Sequence, residues 1–172
     1  MDRVFEILPT IHLPATFLAV DHVSVLCVGL ESFPAIVEQL TPEQAGTHLG
    51  RIYSRLEEIL VRYNGEIVDY WDGNTWVLFG RSFSVTNPAM GALRAAWEIY
   101  NSRGDLSLNL GLATGKVIVG LSGGEDGEAC AVWGEPADHA QTMREISRYH
   151  QIPVLVDHET LEASSRPSSP SR

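Results

Sequence analysis

Runs of β-forming residues lie on either side of one Asp-Gly pair near the middle of the chain. Residues 65–71 and 74–80 are rich in Ile, Val, Tyr, Trp, Thr and Phe, and Asp72-Gly73 separates them. An Asp-Gly pair between two such runs is typical of a type I′ hairpin turn, because that turn needs positive φ at both central residues. The pattern therefore predicts a β-hairpin.

The register of this hairpin, with Trp71 opposite Asn74, sorts its side chains onto two faces, since successive side chains of a strand point to opposite sides. One face carries Val68, Tyr70, Thr75, Val77 and Phe79. The other face carries Ile67, Asp69, Trp71, Asn74, Trp76 and Leu78. Both sets are largely apolar, so we expect helices to cover the first face and a partner to cover the second.

Strand and helix patterns alternate before and after the hairpin. Residues 23–30 form a continuous apolar run typical of a buried strand. Thr41 and Gln44 form a capping box at the start of an amphipathic helix, and Asn87-Pro88 and Pro136 start two more. The order β-α-β-β-α-β, with an additional β-β-α-β, predicts an α+β fold of ferredoxin-like type. Its sheet would be mainly antiparallel, with helices on one face.

A glycine-containing segment at 111–117 looks faintly like a phosphate-binding loop. It lacks the required spacing between its glycines, and Val117 stands where a Ser or Thr would bind Mg²⁺. Alternating leucines precede it and a second β-rich run follows it, so we predict a plain hairpin between two strands.

The balance of charge excludes several kinds of partner. The chain has 12 basic and 22 acidic residues, a formal charge of −10, which disfavours binding to nucleic acid or to an anionic membrane. The apolar run at 11–20 is interrupted by Pro14 and is shorter than the ~20 residues of a spanning helix. It also lacks the basic flank of a signal peptide. We therefore expect a cytoplasmic protein with no membrane insertion of this segment.

With 172 residues, the chain is long enough for one domain. We predict an N-terminal segment at 1–19, the domain at 20–163, and a disordered tail at 164–172 that is rich in Ser and Pro. Cys27 and Cys130 lie in apolar runs and are predicted to be buried, reduced thiols. The six histidines are too scattered to predict a metal site.

Four segments, in order, give residues 20–163 a resemblance to the class III nucleotidyl cyclase catalytic domain. The opening strand and its following aromatic residue lie at Val23–Phe33, and the central hairpin lies at Gly65–Gly80. A Thr-Gly-x-Val-x-x-Gly element follows at Thr114–Gly120, and a Gly-turn-helix begins at Val132. The resemblance implies the fold of that family, in which two domains meet head to tail around a nucleotide pocket.

The same resemblance implies that the catalytic residues are missing. Active members hold two Mg²⁺ or Mn²⁺ ions on two aspartates, and those positions fall on Gly29 and Gly73. The position of the purine-reading Lys falls on Asp69, and that of its partner falls on Ala131. The ribose-orienting Asn falls on Asp138, and the phosphate-stabilising Arg falls on Thr142. We therefore expect no catalytic residue, no metal and no cofactor in this chain.

Three functions are compatible with these residues. The first is a non-catalytic cyclase-homology domain that dimerises and acts in regulation or signalling. The second is a nucleotide or small-molecule sensor that uses the old pocket, with stacking on Trp71, Trp76 or Trp133. The third is a divergent active adenylate or guanylate cyclase that holds Mg²⁺ or Mn²⁺ through displaced carboxylates at Glu31, Asp69 or Asp72. A one-residue slip in a strand turns a side chain to the opposite face, which argues against such displacement.

The second hairpin face is the predicted interface. We expect the chain's own helices to leave it bare, which would expose a larger apolar patch than soluble monomers usually carry. The interface residues would be Ile67, Trp71, Trp76 and Leu78. The partner would be a second copy in a homodimer or another cyclase domain in a heterodimer. Trp97, on the inner stripe of a helix, is predicted to pack in the core.

Overall fold

The computed structural model describes residues 16–81, 87–124 and 127–166, with only the backbone described at 16–18, 21, 71, 121–124 and 127–131. Residues 1–15 and 167–172 lie outside these ranges, and they include most of the predicted N-terminal segment and most of the predicted disordered tail.

The described residues form six strands and five helices. In chain order they are β1 (Thr16–Leu30), α1 (Phe33–Gln39), α2 (Pro42–Arg62), β2 (Gly65–Trp71), β3 (Asn74–Phe79), α3 (Pro88–Ser102), β4 (Leu108–Gly124), β5 (Gly127–Trp133), α4 (Glu135–His150), β6 (Val154–Val156) and α5 (His158–Ser164). The sheet order is β2-β3-β1-β4-β5, all antiparallel, and β6 pairs in parallel with β4. The predicted α+β fold with a mainly antiparallel sheet is confirmed.

Side-chain caps begin α2 and α3 at the predicted positions, and a further cap begins α5. The Thr41 hydroxyl accepts a hydrogen bond from the Gln44 N–H at 3.4 Å, and the Gln44 side chain accepts one from the Thr41 N–H at 3.1 Å. Asn87 caps α3 and Asp157 caps α5 in the same way, by accepting from backbone N–H groups at 3.0 and 2.8 Å. These caps satisfy backbone donors that the first helical turn leaves without a partner.

The central hairpin has the predicted turn. Asp72 and Gly73 have φ values of 48° and 74°, which the type I′ turn requires. Trp71 lies opposite Asn74, as the sequence predicts. The strand–turn–strand prediction is therefore confirmed.

A β-bulge changes the faces of β2 before this turn. Asp69 lies opposite Trp76, but Ile67 lies opposite Val77, so the register shifts around Val68. One extra residue in a strand turns every preceding side chain to the other face. Ile67 therefore packs with the core under α2 and α3, and Val68 packs on the opposite face. The predicted placement of these two residues is wrong.

Helices α2 and α3 cover what we call the first face of the sheet. Their inward side chains pack on even-numbered residues of β1 and β4 and on odd-numbered residues of β3. The most deeply buried members of this core are Leu26, Val28, Leu60, Val77, Phe79, Ile99, Leu110 and Leu112.

Helix α4 covers the opposite, second face. Ala140 of α4 belongs to a separate core with Val23, Val25, Cys27, Leu78, Ala113, Val117 and Val119. The prediction that all helices lie on one face is therefore wrong for α4. Burial beneath this helix raises the pKa of the Cys27 thiol to about 12, and the predicted buried, reduced state of Cys27 is confirmed. The Cys130 side chain is outside the described residues.

Strand β4 runs without a turn through residues 111–117, so the predicted hairpin there is wrong. A Cβ on Gly111 would lie 2.1 Å from the Ala140 carbonyl oxygen and 2.3 Å from the backbone nitrogen of Arg144. Glycine is needed here because the backbone of α4 approaches the strand closely, and not because the chain turns.

Trp97 is also misplaced by the sequence prediction. Its side chain is 65% exposed, because the inner stripe of α3 is formed by Ala92, Ala95, Ala96 and Ile99. Small residues let α3 lie close to the sheet, and the neighbouring Trp97 is then turned outward.

Candidate functional site

The two glycines at the family's metal positions lie at one end of the sheet. Gly29 of β1 is the register partner of Asn74 in β3. The Leu30 N–H donates a hydrogen bond to the Gly73 carbonyl oxygen at 2.8 Å, which ties the end of β1 to the hairpin turn. The structure therefore brings both predicted positions together, although neither carries a carboxylate.

An arginine fills the space beside Gly29. A Cβ at this position would lie 2.2 Å from Nε and 2.7 Å from Nη2 of Arg144, which extends from α4. The Arg144 side chain is only 12% exposed. A cationic side chain thus stands where the family's first metal-binding carboxylate would begin.

Arg144 pairs with Glu31, since its Nη2 lies 3.7 Å from a carboxylate oxygen. Three buried polar atoms nearby have no hydrogen-bond partner among the described residues, namely Nε of Arg144, Oε1 of Glu31 and Oδ1 of Asn74. Glu31 is therefore directed at a guanidinium, which opposes the alternative that it is a displaced metal ligand. The sequence pattern does not indicate Arg144, because it lies two residues beyond the family's arginine position at Thr142.

Phe33 fills the space beside Gly73. A Cβ at Gly73 would lie 2.7 Å from the Cβ of Phe33, and the φ of +74° disfavours any other residue there. Asp72 is exposed at the tip of the turn. Among the described residues, no group of three or more His, Cys, Asp or Glu side chains is placed to hold a metal ion.

Two other predicted positions meet in a separate cavity. It has a volume of about 360 Å³ and lies between the hairpin and the first turns of α4. Asp69 of β2 and Asp138 of α4 both line it, together with Trp76 and Gln141. Asp69 accepts a hydrogen bond from the Tyr70 N–H at 2.7 Å. We call this space the hairpin cavity.

The last two predicted positions do not line the hairpin cavity. The Thr142 hydroxyl is exposed and donates to the Asp138 carbonyl oxygen at 2.9 Å. Ala131 lies on β5 opposite Gly120, and its side chain is outside the described residues. A larger polar groove of about 750 Å³ lies elsewhere, between α2 and α3, and contains none of the predicted site residues.

The fold itself buries or turns away much of the predicted interface. Leu78 is 1% exposed on the second face, and the bulge places Ile67 on the first face. Trp76 is half-buried against the second core, and the Trp71 side chain is outside the described residues. An apolar pair is exposed instead on neighbouring strands, since Ile118 and Trp133 are register partners and are 48% and 46% exposed.

Comparisons with known proteins agree with the fold described above. The family model for the adenylate and guanylate cyclase catalytic domain matches residues 17–168. Curated relatives are uncharacterized proteins of Mycobacterium tuberculosis and Mycobacterium bovis, each 26% identical over 135 residues. The match covers 74% of this chain and 25% of each relative, so the chain spans about a quarter of their length.

Solved structures show the same fold at low sequence identity. The adenylyl cyclase CyaB from P. aeruginosa is 18% identical with a TM-score of 0.69, covering 86% of this chain and 82% of that one. The guanylate cyclase domain of RhGC from Catenaria anguillulae, in complex with GTP, is 15% identical with a TM-score of 0.74, covering 86% and 84%. A non-canonical dimeric guanylyl cyclase domain of the RhoGC fusion protein from Blastocladiella emersonii is 15% identical with a TM-score of 0.72, covering 84% of each chain. The class III cyclase fold expected from the sequence is confirmed.

Proposed function

The chain belongs to the adenylate and guanylate cyclase catalytic domain family, and from this membership we propose that it is a non-catalytic member. In this proposal the domain pairs with a second cyclase domain and acts as a regulatory or signalling module in the cytoplasm. None of the described helices is long and apolar enough to cross a membrane.

The observation that carries the proposal is the filling of both metal positions by other side chains. The Arg144 guanidinium occupies the space beside Gly29, and Phe33 occupies the space beside Gly73. Divalent Mg²⁺ needs oxygen ligands in near-octahedral geometry, and a fixed positive charge at one position repels it. Without metal ions, the 3′-hydroxyl of a nucleotide is not activated and its triphosphate is not neutralised.

Charge in the hairpin cavity supports the same proposal. Asp69 and Asp138 both line it, where the family's pattern has Lys and Asn. Two carboxylates repel a triphosphate, and the exposed Thr142 hydroxyl, which donates to the backbone, supplies no positive charge to a transition state. We expect ATP and GTP to bind with dissociation constants of about 1 mM or weaker.

A cyclase assay tests the loss of catalysis. The protein is incubated with ATP or GTP and Mn²⁺, and cyclic nucleotide is measured against a no-enzyme control and against a known active cyclase. We expect no product from the wild type, nor from the Gly29→Asp/Gly73→Asp variant, because Arg144 and Phe33 occupy the required space. If the wild type makes cyclic nucleotide and the Asp72→Ala variant does not, the result would support the divergent active cyclase instead.

The proposed pairing surface includes the exposed apolar pair Ile118 and Trp133. The guanylyl cyclase domain of the RhoGC fusion protein is described in one structure as a non-canonical dimer and in another as a monomer, so the pairing of this chain stays a proposal that rests on its own exposed apolar pair. The expected partner is a second copy or another cyclase domain. A role for Trp76, with its partly exposed ring, stays a prediction.

Light scattering at tens of micromolar protein tests homodimer formation. We expect a dimeric wild type, a monomeric Ile118→Asp variant, and a dimeric Val61→Asp control, since Val61 is 65% exposed on α2. The Trp76→Asp variant distinguishes between the two candidate interfaces, because Trp76 belongs to the interface predicted from the sequence and not to the exposed pair on β4 and β5. A monomeric wild type would reject the homodimer and direct the search to a heterodimeric partner.

A further inference from the structure

We propose that the hairpin cavity binds a small organic cation, a protonated amine carried on a flat apolar body. This inference goes beyond the proposed function, which concerns the loss of catalysis and pairing of domains. It rests on the shape, the wall composition and the charge of the cavity.

The walls of the cavity are mostly apolar. Val25 and Leu78 form part of its lining and are almost fully buried, at 2% and 1% exposure. Val68 and Val132 add aliphatic surface, and Trp76 adds an aromatic ring. A volume of about 360 Å³ falls within the usual range for small-molecule pockets, and such a lining favours a compact apolar body.

The β-bulge contributes directly to this lining. Because the register shifts at Val68, this residue joins the second core beside Trp76 and Val132. Without the bulge, Val68 would face α2 and the cavity would lose one of its apolar walls. An irregularity in the strand thus shapes the cavity.

The charged groups of the cavity are two carboxylates from different elements. Asp69 comes from β2 and Asp138 from α4, and neither forms an ion pair with any residue that the structure describes. No Lys or Arg is among the lining residues, and Gln141 supplies the remaining polar side chain. Two unneutralised carboxylates beside an apolar wall attract a positive charge.

Trp76 adds a second attraction for a cation. The indole ring is the most favourable aromatic side chain for a cation–π contact, and it also offers a stacking surface for a planar group. A bare divalent ion fits the site less well, since it needs about six oxygen ligands and most of the lining is hydrocarbon. A nucleotide is disfavoured, because its phosphates carry the same sign of charge as Asp69 and Asp138.

Calorimetric titration with tryptamine tests the proposal, with indole-3-propionate as a probe of similar shape and opposite charge. We expect tryptamine to bind the wild type with a dissociation constant below about 1 mM, and indole-3-propionate not to bind. Asp69→Asn/Asp138→Asn should weaken tryptamine binding by about tenfold or more, because charge-assisted hydrogen bonds are lost. Both aspartates are exposed, so this isosteric change leaves the fold intact.

The control variant is Asp105→Asn, which removes an exposed carboxylate outside the hairpin cavity and should bind tryptamine like the wild type. The proposal is overturned if tryptamine gives no heat at several times 1 mM, if indole-3-propionate binds equally well, or if the double variant binds like the wild type. Each of these outcomes is independent of the cyclase assay and of the oligomeric state.

Discussion

The two faces of the sheet are packed by different means. On the first face, large apolar side chains fill the contact, such as Leu60 of α2 and Phe79 of β3, both 0% exposed, and α3 adds Ile99 and a stripe of alanines. On the second face, α4 approaches the strands through glycines, since a Cβ at Gly111 or Gly115 would meet α4 at 2.1 or 2.8 Å. The packing on the first face therefore depends on side-chain volume. The packing on the second face depends on the close approach of the α4 backbone to the strands.

This difference accounts for two polar features of the second face, the Arg144 side chain and the hairpin cavity. A helix that rests on glycines leaves room for long polar side chains around the contact, and Arg144 uses the space beside Gly29. The hairpin cavity opens on the same face, next to the first turns of α4. Between the sheet and helices α2 and α3, close-packed apolar side chains leave no such space, and the polar groove of these two helices lies outside that contact.

The largest expected effect is on the first face, for Phe79→Ala. Removing a fully buried ring leaves a cavity, and we expect the free energy of unfolding to fall by about 3 to 5 kcal/mol. Urea denaturation followed by circular dichroism measures the change. Val61→Ala, at a site 65% exposed, is the control and should change stability by less than about 0.5 kcal/mol. A loss below about 1 kcal/mol for Phe79→Ala would show that side-chain volume does not hold this face.

A smaller effect is expected on the second face, for Gly111→Ala. The added methyl group would overlap the backbone of α4, which cannot move aside as a flexible side chain does. We expect a loss of about 2 to 3 kcal/mol in the free energy of unfolding, measured by the same urea titration.

The matched control for this substitution is Gly46→Ala in α2, where an added Cβ has nothing within 4 Å. Because alanine is the better helix former, this control should raise stability by up to about 1 kcal/mol. Equal effects at both glycines would mean that α4 can shift on the sheet, and the proposed contrast between the faces would fail.

The smallest effect concerns the pair formed by Arg144 and Glu31. Arg144→Met should lower stability by about 1 kcal/mol, a modest value because Glu31 is 25% exposed and 3.7 Å away. Arg144→Met/Glu31→Gln should recover most of this loss, since no charge is then left unpaired. A double-mutant cycle by urea denaturation measures the coupling, and strictly additive losses would argue against any interaction between the two side chains.

Much of the local structure follows from the sequence alone. Thr41, Asn87 and Asp157 begin their helices through side-chain caps, and Asp72-Gly73 makes the hairpin turn. These features depend on contacts within a few residues, so the information for them is present in a short window. The order of segments also identified the family, and with it the absence of carboxylates at Gly29 and Gly73.

The tertiary structure alone decided which face each element covers. A period of two shows that side chains alternate, but it does not show the bulge at Val68 that reverses Ile67, nor the face that α4 selects. The role of Gly111 as a contact, and not as a turn, depends on a helix that begins 24 residues later at Glu135. Arg144 reaches Gly29 across 115 residues of chain, and no local pattern encodes such a contact. The hairpin cavity likewise exists only because β2 and α4 meet, which brings together two carboxylates that are far apart in the sequence.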